Sequence, residues 1–394
     1  MNILNYINQN KKDFIIFFIL CAEIFVFHAT AKNRIYISTF ILMPLISLIG
    51  TYYFLDKQII EVAKRIVKNN LVYFIFILYL VTTLFYSPVT VYGVSKILGL
   101  TIFILPISIK ILYLKENSSK EILKQFAYII ILTGIILSVI LFYLWPIKYD
   151  GTKSFLIWSH NGLGRYLAFS IITYIILYHS IKIESVKERI FYYSIYFIIY
   201  LALYLTALRA AYYGVHIVLV LYYLFNYKNK NLKMDYLFYI IVFVIIQIAD
   251  KYLFSNITVD RFKIIEGLSK SVISNDASLG ARLIMWRESV EVIKNNFIFG
   301  IGIGGYPSVS KIAAQLLYPH NIILELFLET GLIGITFFTY LFLNTLKILI
   351  VKKDILFYFF IIYSFYSLFA GDIESQKIIF ISVLLNNISK NEKN

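Results

Sequence analysis

Charge is scarce in this sequence. Charged residues fill 15% of its 394 positions and hydrophobic residues 60%, whereas a soluble domain carries roughly 25% charged residues. A water-soluble fold could not hide that much apolar surface, so a globular domain in water is excluded. Cysteine is down to one residue, Cys21, which rules out an intrachain disulfide and leaves redox compartment unreadable. The five histidines, His28, His160, His179, His216 and His320, are scattered, and none stands at metal-ligand spacing from another. Asp-x-Asp pairs and P-loop glycine patterns are missing too, as are internal repeats and low-complexity linkers. These absences leave metal-independent chemistry or transport, with no metal and no cofactor expected.

What the chain does have is long apolar runs. Ile35 to Leu55, Phe126 to Trp145 and Met234 to Ala249 are nearly free of charge and long enough, at about twenty residues, to cross a hydrocarbon core. Such runs fall near 14–30, 35–55, 71–86, 91–110, 126–145, 163–181, 190–206, 210–226, 234–250, 321–346, 354–370 and 373–388. The expectation is an all-α membrane protein, a polytopic bundle of about 12 transmembrane helices. It divides into membrane helices over 1–250, an extramembrane loop over 251–320 and further membrane helices over 321–394. Lys11-Lys12, the apolar run from Phe14 and Ala29-Thr30-Ala31 together resemble a cleavable signal. Glu23 interrupts that run, and the first span is expected to be retained.

The net charge of +15 does not point to nucleic acid, because the lysines lie between apolar segments rather than on a basic face. They read as topology signals. With the amino terminus inside, inner connections hold Lys57, Lys64, Arg65 and Lys68, then Lys110, Lys115, Lys120 and Lys124, then Lys182, Lys187 and Arg189. Lys228, Lys230, Lys233, Lys347, Lys352 and Lys353 follow on the same side, against far fewer in the short outer loops. Cytoplasmic loops retain Lys and Arg, so both termini are expected in the cytoplasm and the loop on the outer side of the membrane.

That loop, at roughly seventy residues, is far longer than an ordinary connection, which usually marks function. Leu283, Trp286, Val290, Ile293 and Phe297 follow helical spacing, with Glu288, Glu291 and Lys294 on other faces, and predict an amphipathic helix. A glycine-rich turn follows at Gly300, Gly302, Gly304 and Gly305. It formally matches a dinucleotide fingerprint but lacks the preceding strand that pattern requires. A tight turn that lets backbone approach a neighbouring helix or a ligand is the better reading.

Several polar side chains stand where chemistry would need them. His320 is either a satisfied interfacial group or, as a neutral imidazole, a base able to take a proton near neutral pH. Asn321, Glu325 and Glu329 recur one helical turn apart, so a polar stripe runs into the bilayer and needs partners or water there. Arg209 sits at the outer junction of two spans, either snorkelling to the interface or offering its fork of donors to a phosphate. Arg282 is placed at the start of the amphipathic helix, where a cation opposes the dipole, and an anion-binding role accounts for it better than a structural one. Lys96, Arg165 and Glu23 are either buried structural groups or part of a cavity lining.

Taken in order, Arg282-Leu283 with Trp286, Phe299 to Gly302 with Tyr306, His320-Asn321 with Leu324-Glu325, and Glu329 to Gly334 resemble the signature of the bacterial O-antigen ligase and polymerase family. Ser159 to Gly164, including Asn161, and Leu205 to Ala211, including Arg209, look like further blocks of it; Leu208 departs from the small hydroxyl residue common before that arginine. The resemblance covers roughly Asn161 to Gly334 and implies transfer of a glycan from an undecaprenyl pyrophosphate carrier to an acceptor hydroxyl, with inversion. It implies His320 as general base, Arg209 and Arg282 on the donor pyrophosphate, and Asn161, Asn321 and Glu325 in support. It favours an O-antigen ligase acting on lipid A-core over a polymerase or a protein O-oligosaccharyltransferase. A glycan or lipid transporter is the alternative outside enzymes, and the inverted halves typical of such transporters are not evident.

Overall fold

The computed structural model describes Ile19 and residues 57–117, 120–148, 160–180, 185–206, 208–227, 230–253, 277–310, 317–369 and 371–386. The spans expected at 14–30 and 35–55 lie, Ile19 apart, outside the described residues, and so does Glu23. In chain order the helices are α1 (Lys57–Asn69), α2 (Leu71–Thr83), α3 (Thr90–Leu98), α4 (Ile104–Asn117), α5 (Lys120–Lys148), α6 (His160–Ser180), α7 (Val186–Leu205), α8 (Arg209–Asn226) and α9 (Lys230–Leu253). After them come α10 (Ala277–Asn295), α11 (Ile322–Lys352), α12 (Ile355–Ser367) and α13 (Lys377–Asn386). Regular structure among the described residues is thus wholly helical, and helices occupy every expected span from 71 onward.

Length and apolar composition qualify three of these stretches to cross a membrane alone: Thr90–Glu116, Leu232–Ala249 and Ile322–Lys352. The bent pair α1 and α2, which meet at 75°, could count as a fourth. Among the described residues three or four spans are therefore supported on this measure, against the ten of the roughly twelve expected runs that fall there. Helices such as α12, with 13 residues, and α13, with 10, are shorter than the roughly 17–25 a straight crossing takes.

The described residues fall into two compact units, one within Met1–Glu23, Tyr36–Ile122 and Ser274–Asn394, the other within Leu123–Ile273. In the first unit, α1 buries Ile59, Val62 and Ile66 against α4, and Arg65 pairs with Glu116. The chain bends at Asn70, whose backbone leaves the helical region (φ −120°, ψ 35°) and whose amide donates to Ile66 O at 2.9 Å and to Leu384 O at 3.1 Å. Between α3 and α4 the helix widens into a π turn over Gly99–Phe103, where backbone bonds no longer follow the regular ladder. Tyr73 donates to Leu100 O in that turn at 2.6 Å. Helix α11 packs on α2, with Phe337 against the rings of Phe76 and Tyr79.

In the second unit, a capping box formed by Ser185 and Glu188 starts α7, satisfying donors that a helix start otherwise leaves open. Tyr192, Tyr196, Tyr200 and Tyr204 then recur every fourth residue and are all buried, which places them on one face. Their hydroxyls need polar partners away from water, and Tyr192 bonds Tyr239 while Tyr200 meets His216 Nε2 at 2.6 Å.

Candidate functional site

His320 stands at the entrance of α11 in an unusual conformation. Its φ of 57° lies in the left-handed region, which few residues other than glycine adopt. The strain is held from both sides. Pro319 before it is buried and accepts a hydrogen bond from Trp286 Nε1 at 2.9 Å. Asn321 after it caps α11, its Oδ1 accepting from Ile323 N at 3.0 Å and Leu324 N at 3.1 Å. The other end of that amide donates to Leu368 O at 3.3 Å. The ring of Tyr318 meets the imidazole edge-on at 4.6 Å, and His320 itself is half-buried. An imidazole so placed has a fixed backbone and access from outside.

The bond from Trp286 ties α10 to this turn, and Arg282 lies one helical turn before Trp286 on the same face. The expected helix exists, but its start is Ala277 rather than Arg282. Arg282 is thus in the second turn, where the helix dipole has largely faded, and the misfit that singled it out does not hold. The phase also differs: Met285, Ser289 and Ile293 are buried, while Leu283 and Val290 are 39% and 42% exposed and Phe297 lies past the helix end. The buried side of α10 joins Tyr306 and Leu328 in one apolar cluster, so packing against α11 chose the face. Of the positions in the apolar spacing, Ile293 belongs to that cluster, whereas Leu283 and Val290 are exposed.

The glycine-rich turn does what close backbone approach requires. Helix α11 breaks at Gly331 (φ 64°, ψ −164°), which frees carbonyls on its first section. Ile301 N donates to Leu328 O at 3.0 Å and Gly302 N to Glu329 O at 2.9 Å, while Tyr79 donates to Thr330 O at 2.6 Å. Across the break, Leu332 N donates to Phe297 O at 2.8 Å. Buried backbone groups without partners are costly, so turn and break satisfy each other. A Cβ on Gly300 would come within 2.5 Å of the Glu329 backbone, and one on Gly304 within 2.3 Å of Gly93 N.

Residues 322–330 therefore form a short separate section, and a buried charge cluster locks it. Lys96 Nζ lies 2.6 Å from Glu325 Oε1 and 2.7 and 2.8 Å from the two oxygens of Glu329. Glu325 Oε2 accepts from Ile373 N at 3.1 Å. Tyr92, whose ring carries the Lys96 ammonium 4.4 Å from its centroid, donates to Asp372 Oδ2 at 2.8 Å. Burial pushes the Asp372 carboxyl up, but the Lys96 charge and hydrogen bonds from Ser375 and Tyr92 outweigh it and hold the group below the usual carboxylate range. The polar stripe thus finds a partner in Lys96, which is fully buried. Tyr92 and Asp372 were missed, since nothing local in the sequence connects either to residue 325.

Arg209 and Asn161 belong to the second unit. Arg209 is half-buried and is the first residue of α8; its N-cap, Leu208, makes no side-chain capping bond. The cation that opposes a helix dipole is therefore Arg209, not Arg282. The turn before it is fixed: a Cβ on Gly164 would lie 2.8 Å from Leu208 Cδ2 and 2.9 Å from Thr206 Oγ1. Asn161, half-buried in the first turn of α6, is less than one helical turn from that contact. Arg165, also on α6, is half-buried.

Compared with known proteins, residues 194–339 match the family model described as O-antigen ligase. The matched region contains Arg209, Arg282, the glycine-rich turn, His320, Asn321, Glu325 and Glu329, and leaves out Asn161, Lys96 and Asp372. No curated protein matches the chain.

Proposed function

We propose that the chain is an O-antigen ligase: a membrane enzyme that moves a glycan from undecaprenyl pyrophosphate to a hydroxyl of lipid A-core at the periplasmic face of the bacterial inner membrane. The match of residues 194–339 to the O-antigen ligase model carries this reading, because it contains the histidine and both arginines that the chemistry needs. A sugar hydroxyl is a poor nucleophile at neutral pH and gains from a base within hydrogen-bond reach. In the proposed step the acceptor oxygen attacks the anomeric carbon, His320 takes the hydroxyl proton, and the bond from that carbon to the pyrophosphate oxygen breaks with its electron pair leaving on the carrier. Attack opposite the leaving group inverts the centre. The proton on His320 then passes to water or to the released pyrophosphate.

Charge gathers on the departing pyrophosphate, and planar guanidinium groups can hold it bidentately. Arg282 and Arg209 are proposed for that role. Arg282 is one turn from the tryptophan that holds the His320 turn, and Arg209 opens α8 where uncapped backbone donors also favour an anion. Asn321 and Glu325 support His320 by fixing the start of α11, and Asn161 supports the turn before Arg209. Basic loops between the apolar runs favour cytoplasmic termini.

The test is a gel of surface glycolipid from a deletion strain carrying wild-type or variant protein. Core without repeats in the deletion, restored by wild type and not by His320→Ala, supports ligation. Core with a single repeat would replace this reading with polymerisation, and unchanged glycolipid with altered glycoprotein would replace it with protein glycosylation. Full restoration by His320→Ala would remove the base.

A further inference from the structure

In the first unit, α1 carries a feature outside the residues proposed for glycan transfer. The helix is amphipathic, and its apolar side is wider than its packing. Ile59, Val62 and Ile66 are buried, yet Ile60 and Val67, at the edge of the same side, are 40% and 46% exposed. They border a groove of about 490 Å³ whose floor also includes Ile59, Ala63 and, from α4, Ile109. That volume lies within the roughly 300–1,000 Å³ typical of small-molecule sites. Two further residues line it, Lys64 and Lys68, both exposed and one helical turn apart on one face of α1; the groove surface is almost wholly apolar, so it is their methylenes that line it. The neighbouring Arg65 is paired with Glu116, and Glu61 is exposed outside the groove.

We infer that this groove binds an anionic glycerophospholipid, an acyl chain lying on the isoleucine and valine floor and the phosphodiester between Lys64 and Lys68. Charge complementarity selects this occupant: an apolar trough edged by two cations matches a molecule with an apolar tail and an anionic head. The bend at Asn70 turns α1 by 75° from α2, an arrangement suited to a helix lying in the interface rather than crossing it. Lysine side chains can lay their methylenes along apolar surface and keep their charge at headgroup level.

The experiment uses the full chain purified in neutral detergent, titrated with dioleoyl phosphatidylglycerol or dioleoyl phosphatidylcholine, and counts bound lipid by native mass spectrometry. Phosphatidylglycerol is expected to bind more tightly than phosphatidylcholine. Lys64→Gln and Lys68→Gln should each weaken it about fivefold, the effect of one basic residue near an anionic headgroup. Val67→Trp, at an exposed position, should fill the groove and abolish binding. Lys57→Gln removes the same charge from the same helix outside the groove and should change binding by less than about twofold. Equal binding of the two lipids would overturn the site, as would Lys57→Gln weakening binding as much as Lys64→Gln or Val67→Trp leaving it intact.

Discussion

Lys96 Nζ reaches both carboxylate oxygens of Glu329, at 2.7 and 2.8 Å, although the two residues are 233 positions apart. With Glu325 on the same ammonium, one lysine fixes both turns of the section of α11 that begins beside His320. Removing one partner of a buried pair leaves uncompensated charge, which typically costs 3–5 kcal/mol. Lys96→Met should therefore lower stability by about that much in thermal unfolding of the purified protein. Adding Glu329→Gln to it should recover part of the loss. A melting temperature unchanged by Lys96→Met would show that the cluster holds nothing in place.

Two glycines in the same turn should behave differently. Gly300 has φ of 70°, and a Cβ there meets the Glu329 backbone at 2.5 Å; Gly305 has an ordinary φ, and a Cβ there meets Gly302 O at 2.8 Å and the Ile301 side chain at 2.9 Å. Gly300→Ala is expected to cost about 2 kcal/mol or more, since strained positions cost about 1–3 kcal/mol before any clash. Gly305→Ala meets a clash but no φ strain and should cost less. Chemical denaturation of both variants measures the difference, and equal losses would contradict the seal between turn and helix break.

The left-handed backbone at His320 separates its conformational role from its chemical one. Asparagine tolerates that region better than most residues, so His320→Asn should melt within about 1 kcal/mol of wild type. It should nevertheless give no glycan transfer in the complemented strain. Normal transfer by this variant would mean that no imidazole is needed.

Trp286→Phe keeps a ring but loses the indole donor to Pro319. One such hydrogen bond is worth about 0.5–1.5 kcal/mol in net stability, and the melting shift should be correspondingly small. Transfer should fall at least tenfold, because a small displacement of a reacting group is expensive in rate. Surface glycolipid at the wild-type level would show that the position of this turn does not depend on that bond.

Acid should act on the cluster through Asp372. Its carboxyl is held below the ordinary range in the folded chain, so its stabilising contribution is complete above the unfolded value, about 3.9. That contribution is lost as pH falls below 3.9 and through the lower folded value. Asp372→Asn should lower stability at neutral pH and reduce the further loss on acidification. Melting curves over that range check the sign, and an equal acid dependence in both proteins would assign it to other groups.

Some of this was open to reading from the chain alone. The spacing of Asn321, Glu325 and Glu329 announced a polar face on α11, because helical periodicity is local. The demand for a partner was equally visible, since charge in an apolar run must be compensated. Which partner was not: Lys96 and Asp372 meet that face only after the chain has folded back on itself. Arg282 shows the same limit at shorter range. Its helix starts five residues earlier than the apolar pattern suggested, so the dipole argument belonged to Arg209 at the start of α8.

Composition and periodicity determined that the chain is helical and suited to a membrane, since both depend on how residues a few positions apart meet solvent or lipid. Tertiary structure alone decided where α11 breaks. Gly331 lies in an apolar run that reads as continuous helix, and its neighbours give up regular bonds only because a distant glycine turn supplies donors to their carbonyls. An ion pair or a backbone seal between remote segments has no periodic trace, because its energy exists only once folding has brought both halves together.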